Sequence, residues 1–331
     1  MDVAILGTGV VGRRFARASF FGTARAGHTD ESTDRSPSEP VTTDSGDPDT
    51  TEQFPTVTLY GVDATAVMDT VDVLEETFRE RGNPGPADHL ERLDGTTDLE
   101  TAVGDADVAI ETRSADLETV RHRLAGVEES LDDETILAIH TDVAEPTAAA
   151  AALENPERAI GLSIVDGGKA RTHTAQSPSG NGDREVIEIV RADQTDDATV
   201  DSVSGFLDGL GWTSVDVNDA PGYVSDRLQL ALEAEAMRAV EAEVATPAAI
   251  DDLVETGFGH ATGPLAAADR AGLDNRLETL EELAVELGER FEPPAILRAK
   301  VQAGQLGEKT GSGFREWDDD QPVDETVGTE S

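Results

Sequence analysis

Val3-Ala4-Ile5-Leu6-Gly7-Thr8-Gly9-Val10-Val11-Gly12 is the stretch on which the fold of this chain turns. Its four leading apolar residues predict a short buried strand, and Gly7, Gly9 and Gly12 form a G-x-G-x-x-G turn. Arg13-Arg14-Phe15-Ala16-Arg17-Ala18 then opens a helix. Each glycine is there for a physical reason. Gly7 permits the tight turn, Gly9 lets the backbone approach a pyrophosphate, and Gly12 lets the helix pack closely on the strand. The helix N-terminus offers unpaired N–H groups and a partial positive charge to the phosphates. With a strand before it and a helix after it, the turn predicts a bound dinucleotide.

Composition narrows the rest. The 331 residues suffice for about two domains. Asp and Glu number 69 against 25 Lys and Arg, a formal net charge of -44, and the lysines are only Lys169, Lys300 and Lys309. Such a charge repels nucleic acid and anionic membrane surfaces and strains the compact state at low ionic strength. The acid runs through every segment, the helices included, which suits molar salt, where the Debye length falls to about 3 Å. A halophilic cytoplasm is the expected setting. The absence of cysteine excludes disulfides, thiolate nucleophiles and Cys-ligated metal. No histidine pair has helical spacing with a carboxylate, so no metal site is expected. No apolar run approaches the ~18 residues of a membrane span, and the leading strand predicts that no signal peptide precedes the fold.

Three segments differ from their surroundings: an acidic, Thr/Ser/Pro-rich insertion over about 28–55, a polar insertion over about 167–183, and an acidic tail over 318–331. Between them, strands are expected at Thr56–Tyr60, Asp107–Glu111, Thr135–His140, Ala159–Val165, Val186–Val190 and Thr213–Val217. Helices are expected near Thr65–Glu80, Asp116–Leu131 and Ala198–Leu210. The alternation predicts an α/β, Rossmann-type doubly wound parallel sheet over 1–217. From Pro221 the β pattern stops, and helical spacing at 231–237 and 277–287 predicts an all-helical domain over 218–317.

Four ordered motifs identify a family. Asp219-Ala220-Pro221-Gly222-Tyr223-Val224-Ser225-Asp226-Arg227-Leu228 resembles the D-x-P-G-F-V-x-N-R-L segment of 3-hydroxyacyl-CoA dehydrogenases. The run from Gly257-Phe258-Gly259 through Gly263-Pro264 to Asp269-Arg270-Ala271-Gly272-Leu273-Asp274 is similar to that family's G-x-G, G-P and D-x-x-G-L-D series. Leu306-Gly307-Glu308-Lys309-Thr310-Gly311-Ser312-Gly313-Phe314 resembles its closing L-G-x-K-T-G-x-G-F/Y, and the N-terminal glycine turn is the fourth motif. The resemblance implies an NAD-binding domain, a helical domain that makes a homodimer, and oxidation of a 3-hydroxyacyl-CoA, or a related 3-hydroxy acid, to the 3-oxo compound.

The same resemblance assigns site residues and exposes departures. Gly7, Gly9 and Gly12 correspond to the pyrophosphate turn. Gly61 stands where an acid usually closes the second strand and reads the ribose, which leaves Asp63 as the candidate ribose ligand. Glu111, a candidate cofactor-binding residue, keeps the first glutamate of the family's E-A-x-x-E, and Ala115 replaces the second. Gly161-Leu162-Ser163-Ile164-Val165-Asp166-Gly167 matches the family's G-L-H-F-F-N-P, so Ser163 occupies the place of the catalytic histidine. Val186-Ile187-Glu188-Ile189-Val190 resembles the strand of the partner glutamate, which assigns that role to Glu188. Of the family's S-N-T-S-S, only Thr141 matches, and Ile139 replaces its first serine. The family's asparagine in the helical entry motif is Asp226, and the hairpin that reaches for CoA is shortened around Arg81 to Leu90. A serine hydroxyl is a poor base unaided, so His140, at a strand's C-terminal end, and His173 are further candidates for the proton acceptor. The alternative is a non-catalytic NAD- or acyl-CoA-binding paralogue, a sensor or a partner subunit.

Self-repulsion at a net charge of -44 predicts a salt requirement. Raising KCl from about 0.1 M to above about 1 M should raise the melting temperature of the chain. A melting temperature independent of salt would contradict this.

Overall fold

The computed structural model describes residues 1–22, 55–80, 92–140, 145–165, 186–318 and 321–323. The insertions expected at 28–55 (Pro55 apart) and 167–183, the shortened hairpin, Thr141 and His173 lie outside the described residues. The chain divides into two compact units, the first made of Met1–Ile164 with Arg184–Asp219.

The first unit alternates strand and helix in the order β1 (Val3–Leu6), α1 (Val10–Gly22), β2 (Val57–Tyr60), α2 (Ala64–Glu80), β3 (Leu93–Thr96), α3 (Leu99–Val103), β4 (Val108–Glu111) and α4 (Leu117–Glu128). It continues with β5 (Ile136–His140), α5 (Pro146–Ala150), β6 (Ala159–Ile164), β7 (Val186–Arg191), α6 (Asp197–Gly209) and β8 (Thr213–Asn218). The strands make one sheet in the order β3-β2-β1-β4-β5-β6-β7-β8. The first six strands in this order pair in parallel. β7 pairs antiparallel with β6, and β8 runs parallel to β7, so the parallel expectation fails at the last two strands.

Side chains alternate across the sheet along each strand. Ile5, Ile110, Ala138 and Leu162 join the core beneath α1, α2 and α6, with Phe15, Leu74, Val203 and Phe206. Leu6, Ala109 and Ile139 join the opposite core beneath α3, α4 and α5, with Val103, Val120, Leu124 and Ala149. Helices therefore cover both faces, which is why β1 and the interiors of β4 and β5 are apolar. β3 and α3 have no counterpart in the expected elements. Leu-Asp-Gly-Thr carries one buried apolar residue and two residue types that strands disfavour, so it pairs as an edge strand on tertiary context alone.

The second unit's main helices are α7 (Ser225–Glu241), α8 (Pro247–Asp252), α9 (Pro264–Ala271), α10 (Leu273–Leu287) and α11 (Ala295–Gln302). β9 (Glu316–Asp318) and β10 (Gln321–Val323) close it as a short antiparallel hairpin, which runs into the stretch expected as acidic tail. Its motifs prove to be two halves of one lock. Asp269, fully buried, accepts hydrogen bonds from Phe314 N at 2.9 Å, Arg315 N at 2.8 Å and Trp317 Nε1 at 3.0 Å. Gly313 lies so close that a Cβ there would sit 2.1 Å from Asp269 Oδ1. Leu273 N donates to Leu306 O at 3.1 Å, and Lys309 pairs with Asp274 at 2.6 Å. Asp251, also buried, accepts from Leu265 N at 2.8 Å and from Arg315 Nη1 at 3.1 Å. Burial pushes the carboxyls of Asp251 and Asp269 up, against the lowering effect of the donors around them.

Asp269→Ala would strand two backbone N–H groups and an indole N–H inside the unit. At about 1–3 kcal/mol per buried orphaned donor, urea unfolding followed by tryptophan fluorescence should show a loss of at least about 2 kcal/mol. An unchanged midpoint would contradict the lock.

Candidate functional site

Strand order places the functional edge. β1 and β4 are neighbours, but the chain leaves β1 toward β2 and β3 before returning to β4. Ligands of open α/β sheets bind at such a switch, outside the carboxyl ends of the strands. At this edge stand the glycine turn after β1, Glu111-Thr112-Arg113 after β4, His140 at the end of β5 and Ser163 near the end of β6.

The three glycines differ in what surrounds them. A Cβ on Gly12 would lie 2.1 Å from Gly7 O, so only glycine lets α1 descend onto the turn. Gly7 has φ +135°, and a Cβ there would meet Thr112 Oγ1 at 2.4 Å. Around Gly9 there is nothing within 4 Å of the Cβ position. The turn is thus closed on its protein side and open above Gly9, where α1 presents its N-terminus. That cradle fits the pyrophosphate of a dinucleotide.

The ribose position is less typical. A Cβ on Gly61 would approach Val67 Cγ2 to 2.8 Å and Thr8 Cγ2 to 3.1 Å, so the packing of α2 leaves that position little space for an acid. Asp63 is exposed, and its Oδ1 accepts from Thr65 N at 2.8 Å. It therefore works as a cap on the first turn of α2 and stays the candidate for the ribose.

Glu111 is fully buried, with both carboxylate oxygens engaged. Oε1 accepts from Arg113 N at 2.7 Å and Arg113 Nε at 2.9 Å, and Oε2 accepts from Arg113 Nη2 at 2.6 Å and Arg123 Nε at 3.0 Å. Arg123 also bonds the carbonyl of Arg113. Glu111 is thus the buried anchor of two arginines. Arg113 lies with its guanidinium 5.2 Å from the centre of the Tyr60 ring, at the end of β2. Sequence reasoning passed over Arg113 because it fills a variable position of the E-A-x-x-E stretch, and over Arg123 because it belongs to no motif; their one signal is positive charge in a chain poor in cations.

On β6 and β7 the antiparallel register sets Ser163 directly opposite Glu188, which puts their Cβ atoms about 4.5–5.5 Å apart on one face. Glu188 is buried and Ser163 partly exposed. Register carries that face across the sheet from Glu111 to Ile139 to Gly161. Ile139 is wholly buried in the apolar core of this face. His140 points the other way. It is buried, in register with Leu162, and packs edge-on against Phe15 with ring centroids 5.9 Å apart. The structure brings Ser163 and Glu188 together and leaves His140 on the opposite face. Asp226 and His260 are exposed in the second unit. Among the described residues no group of three His, Cys, Asp or Glu is placed to hold a metal, and no helix is long and apolar enough to cross a membrane.

Comparisons with known proteins identify the family. Residues 52–165 match the model of the 3-hydroxyacyl-CoA dehydrogenase NAD binding domain, and residues 222–317 match that of the 3-hydroxyacyl-CoA dehydrogenase C-terminal domain. The first match begins beyond the glycine turn, from which the acidic insertion separates it. A Bacillus subtilis protein named "Probable 3-hydroxybutyryl-CoA dehydrogenase" is 33% identical over 215 residues, 65% of this chain and 70% of that one. A Deinococcus radiodurans protein of the same name is 33% identical over 230 residues, 69% of this chain and 78% of that one. The crystal structure of (S)-3-hydroxybutyryl-CoA dehydrogenase from Ralstonia eutropha shares the fold, with a TM-score of 0.74 at 24% identity, covering 96% of this chain and 99% of that one. The chain belongs to the 3-hydroxyacyl-CoA dehydrogenase family.

Proposed function

We propose that this chain oxidises a 3-hydroxyacyl-CoA, or a related 3-hydroxy acid, to the 3-oxo compound with NAD, as a homodimer in the salt-rich cytoplasm of a haloarchaeal-type halophile. The observation that carries the reading is the Ser163–Glu188 pair, a serine set by strand register directly opposite a buried glutamate near the sheet edge that also bears the open Gly9 cradle. The names of the relatives support the substrate class, and the net charge supports the setting.

Bound NAD supplies the hydride acceptor. The chain itself must orient the substrate and take the hydroxyl proton. Ser163 stands in the place of the family's histidine, and serine is the shorter side chain. The proton therefore passes from the substrate hydroxyl through one bridging water to Ser163 Oγ, whose own proton goes to the Glu188 carboxylate. A relay through serine is slower than a direct imidazole base, since an unaided hydroxyl neither holds nor accepts a proton well near neutral pH. His140 takes no part in this reading, because it packs against Phe15 on the far face.

A second reading, an NAD- or acyl-CoA-binding paralogue without turnover, is favoured by Ile139. Its buried apolar side chain replaces the family's serine and offers the substrate hydroxyl nothing.

Two outcomes test the proposal. Gly9→Val fills the open space above the turn, and NADH binding measured by calorimetry should disappear; an unchanged affinity would contradict the cradle. Ser163→His restores an imidazole beside Glu188. Turnover of acetoacetyl-CoA with NADH should rise by about 10² or more, within the range general-base catalysis supplies. No gain, with both ligands still bound, would favour the second reading.

A further inference from the structure

We infer that Arg113 reads the adenosine end of the dinucleotide and that this chain accepts NADPH alongside NADH. The inference rests on the dinucleotide reading above and concerns what selects between the two nucleotides.

In Rossmann folds an acid at the end of the second strand binds the ribose hydroxyls and repels a 2′-phosphate, whereas a nearby arginine accommodates it. Here the acid is missing and cannot be restored at its usual place. Gly61 follows β2 directly, and a Cβ there would crowd the Val67 and Thr8 side chains at 2.8 Å and 3.1 Å. The next acid, Asp63, has one oxygen committed to Thr65 N at the start of α2. The position that normally excludes a 2′-phosphate is therefore neutral.

A cation fills the neighbourhood from another part of the chain. Arg113 comes from the end of β4, on the other side of β1, and lies over Tyr60, the last residue of β2. Its Cγ would be 3.0 Å from a Cβ on Gly7, so it borders the turn itself. The buried Glu111 holds its Nε and Nη2 edge through two charge-assisted bonds, which leaves the Nη1 edge turned away from that carboxylate. The Arg113 side chain is about a fifth exposed. Glu111 has one negative charge and faces two arginines, Arg113 and Arg123, so the cluster carries an excess positive charge at the switch point of a strongly acidic protein. A planar guanidinium, stacked on an aromatic ring and fixed along one edge, is pre-organised to take a phosphate on the other. Glu111 is a positioning residue in this account, and Arg113 is the contact.

The test is binding. Dissociation constants for NADH and NADPH are measured by nucleotide fluorescence in molar KCl, where close contact between guanidinium and phosphate outlasts the screening of longer-range charge. Wild type should bind NADPH within about tenfold of NADH, and Arg113→Gln should weaken NADPH by about tenfold or more while moving NADH less than about threefold; tenfold is the scale of one charge-assisted bond. Arg113→Gln leaves Glu111 buried with one arginine fewer, so the double variant Glu111→Gln/Arg113→Gln repeats the measurement without that buried charge. Wild-type NADPH binding more than about tenfold weaker than NADH, or equal weakening of both nucleotides in the variants, would overturn the inference. Binding of NADH with exclusion of NADPH sinks this inference alone, and binding of neither sinks the dinucleotide reading with it.

Discussion

The contact on which the nucleotide site depends is the one between Gly12 and Gly7. A Cβ on Gly12 would stand 2.1 Å from Gly7 O, inside any tolerated separation, so the first turn of α1 can meet the end of β1 only through two residues without side chains. Thr112 completes the junction from β4, giving its backbone N–H and its hydroxyl to Leu6 O at 3.0 Å each. Because the turn is pinned on three sides, Gly9 is held at an open surface with the helix N-terminus behind it. Anion binding then follows from backbone geometry and needs no cationic side chain of the turn. That suits a chain whose surface is overwhelmingly acidic, since the peptide dipoles act at contact range, where molar salt screens least.

The two units divide the labour differently from what motif content suggests. Motifs in the second unit make the family recognisable, yet they are mostly packing devices. The Asp269 carboxylate collects the backbone of Phe314 and Arg315, and the loop motif from Leu306 exists to bring that backbone to it. The proposed chemistry stands at strand ends in the first unit, at and beside Gly61, Ile139 and Ser163. Residues that hold a fold together tolerate little change, whereas an edge residue alters activity without endangering the core.

The legibility of the sequence followed the same division. Apolar runs such as Val3–Leu6 and Val108–Glu111 are buried on both faces and declared themselves as strands, and the glycine turn was readable because its geometry is local. β3 was not, since Leu-Asp-Gly-Thr has neither periodicity nor propensity and pairs only because β2 offers an edge. The antiparallel turn at β7 was also hidden, because strand direction is a matter of connection and not of composition. At the site, the opposition of Ser163 and Glu188 was anticipated from motifs. The burial of Glu111 beneath two arginines was not, for it depends on Arg123, twelve residues away, folding back on α4. His140 looked available because of where its strand ends, but one step of side-chain alternation turns it into the opposite core.

In the proposed reaction Glu188 receives the proton released as hydride leaves. The direct measurement is NADH oxidation with acetoacetyl-CoA in molar KCl by wild type and Glu188→Gln, with NADH affinity determined on both proteins. The account predicts measurable wild-type turnover that falls by about 10² or more in the variant, the usual scale of a lost general base, while NADH affinity stays the same. Equal turnover in the two proteins would contradict it.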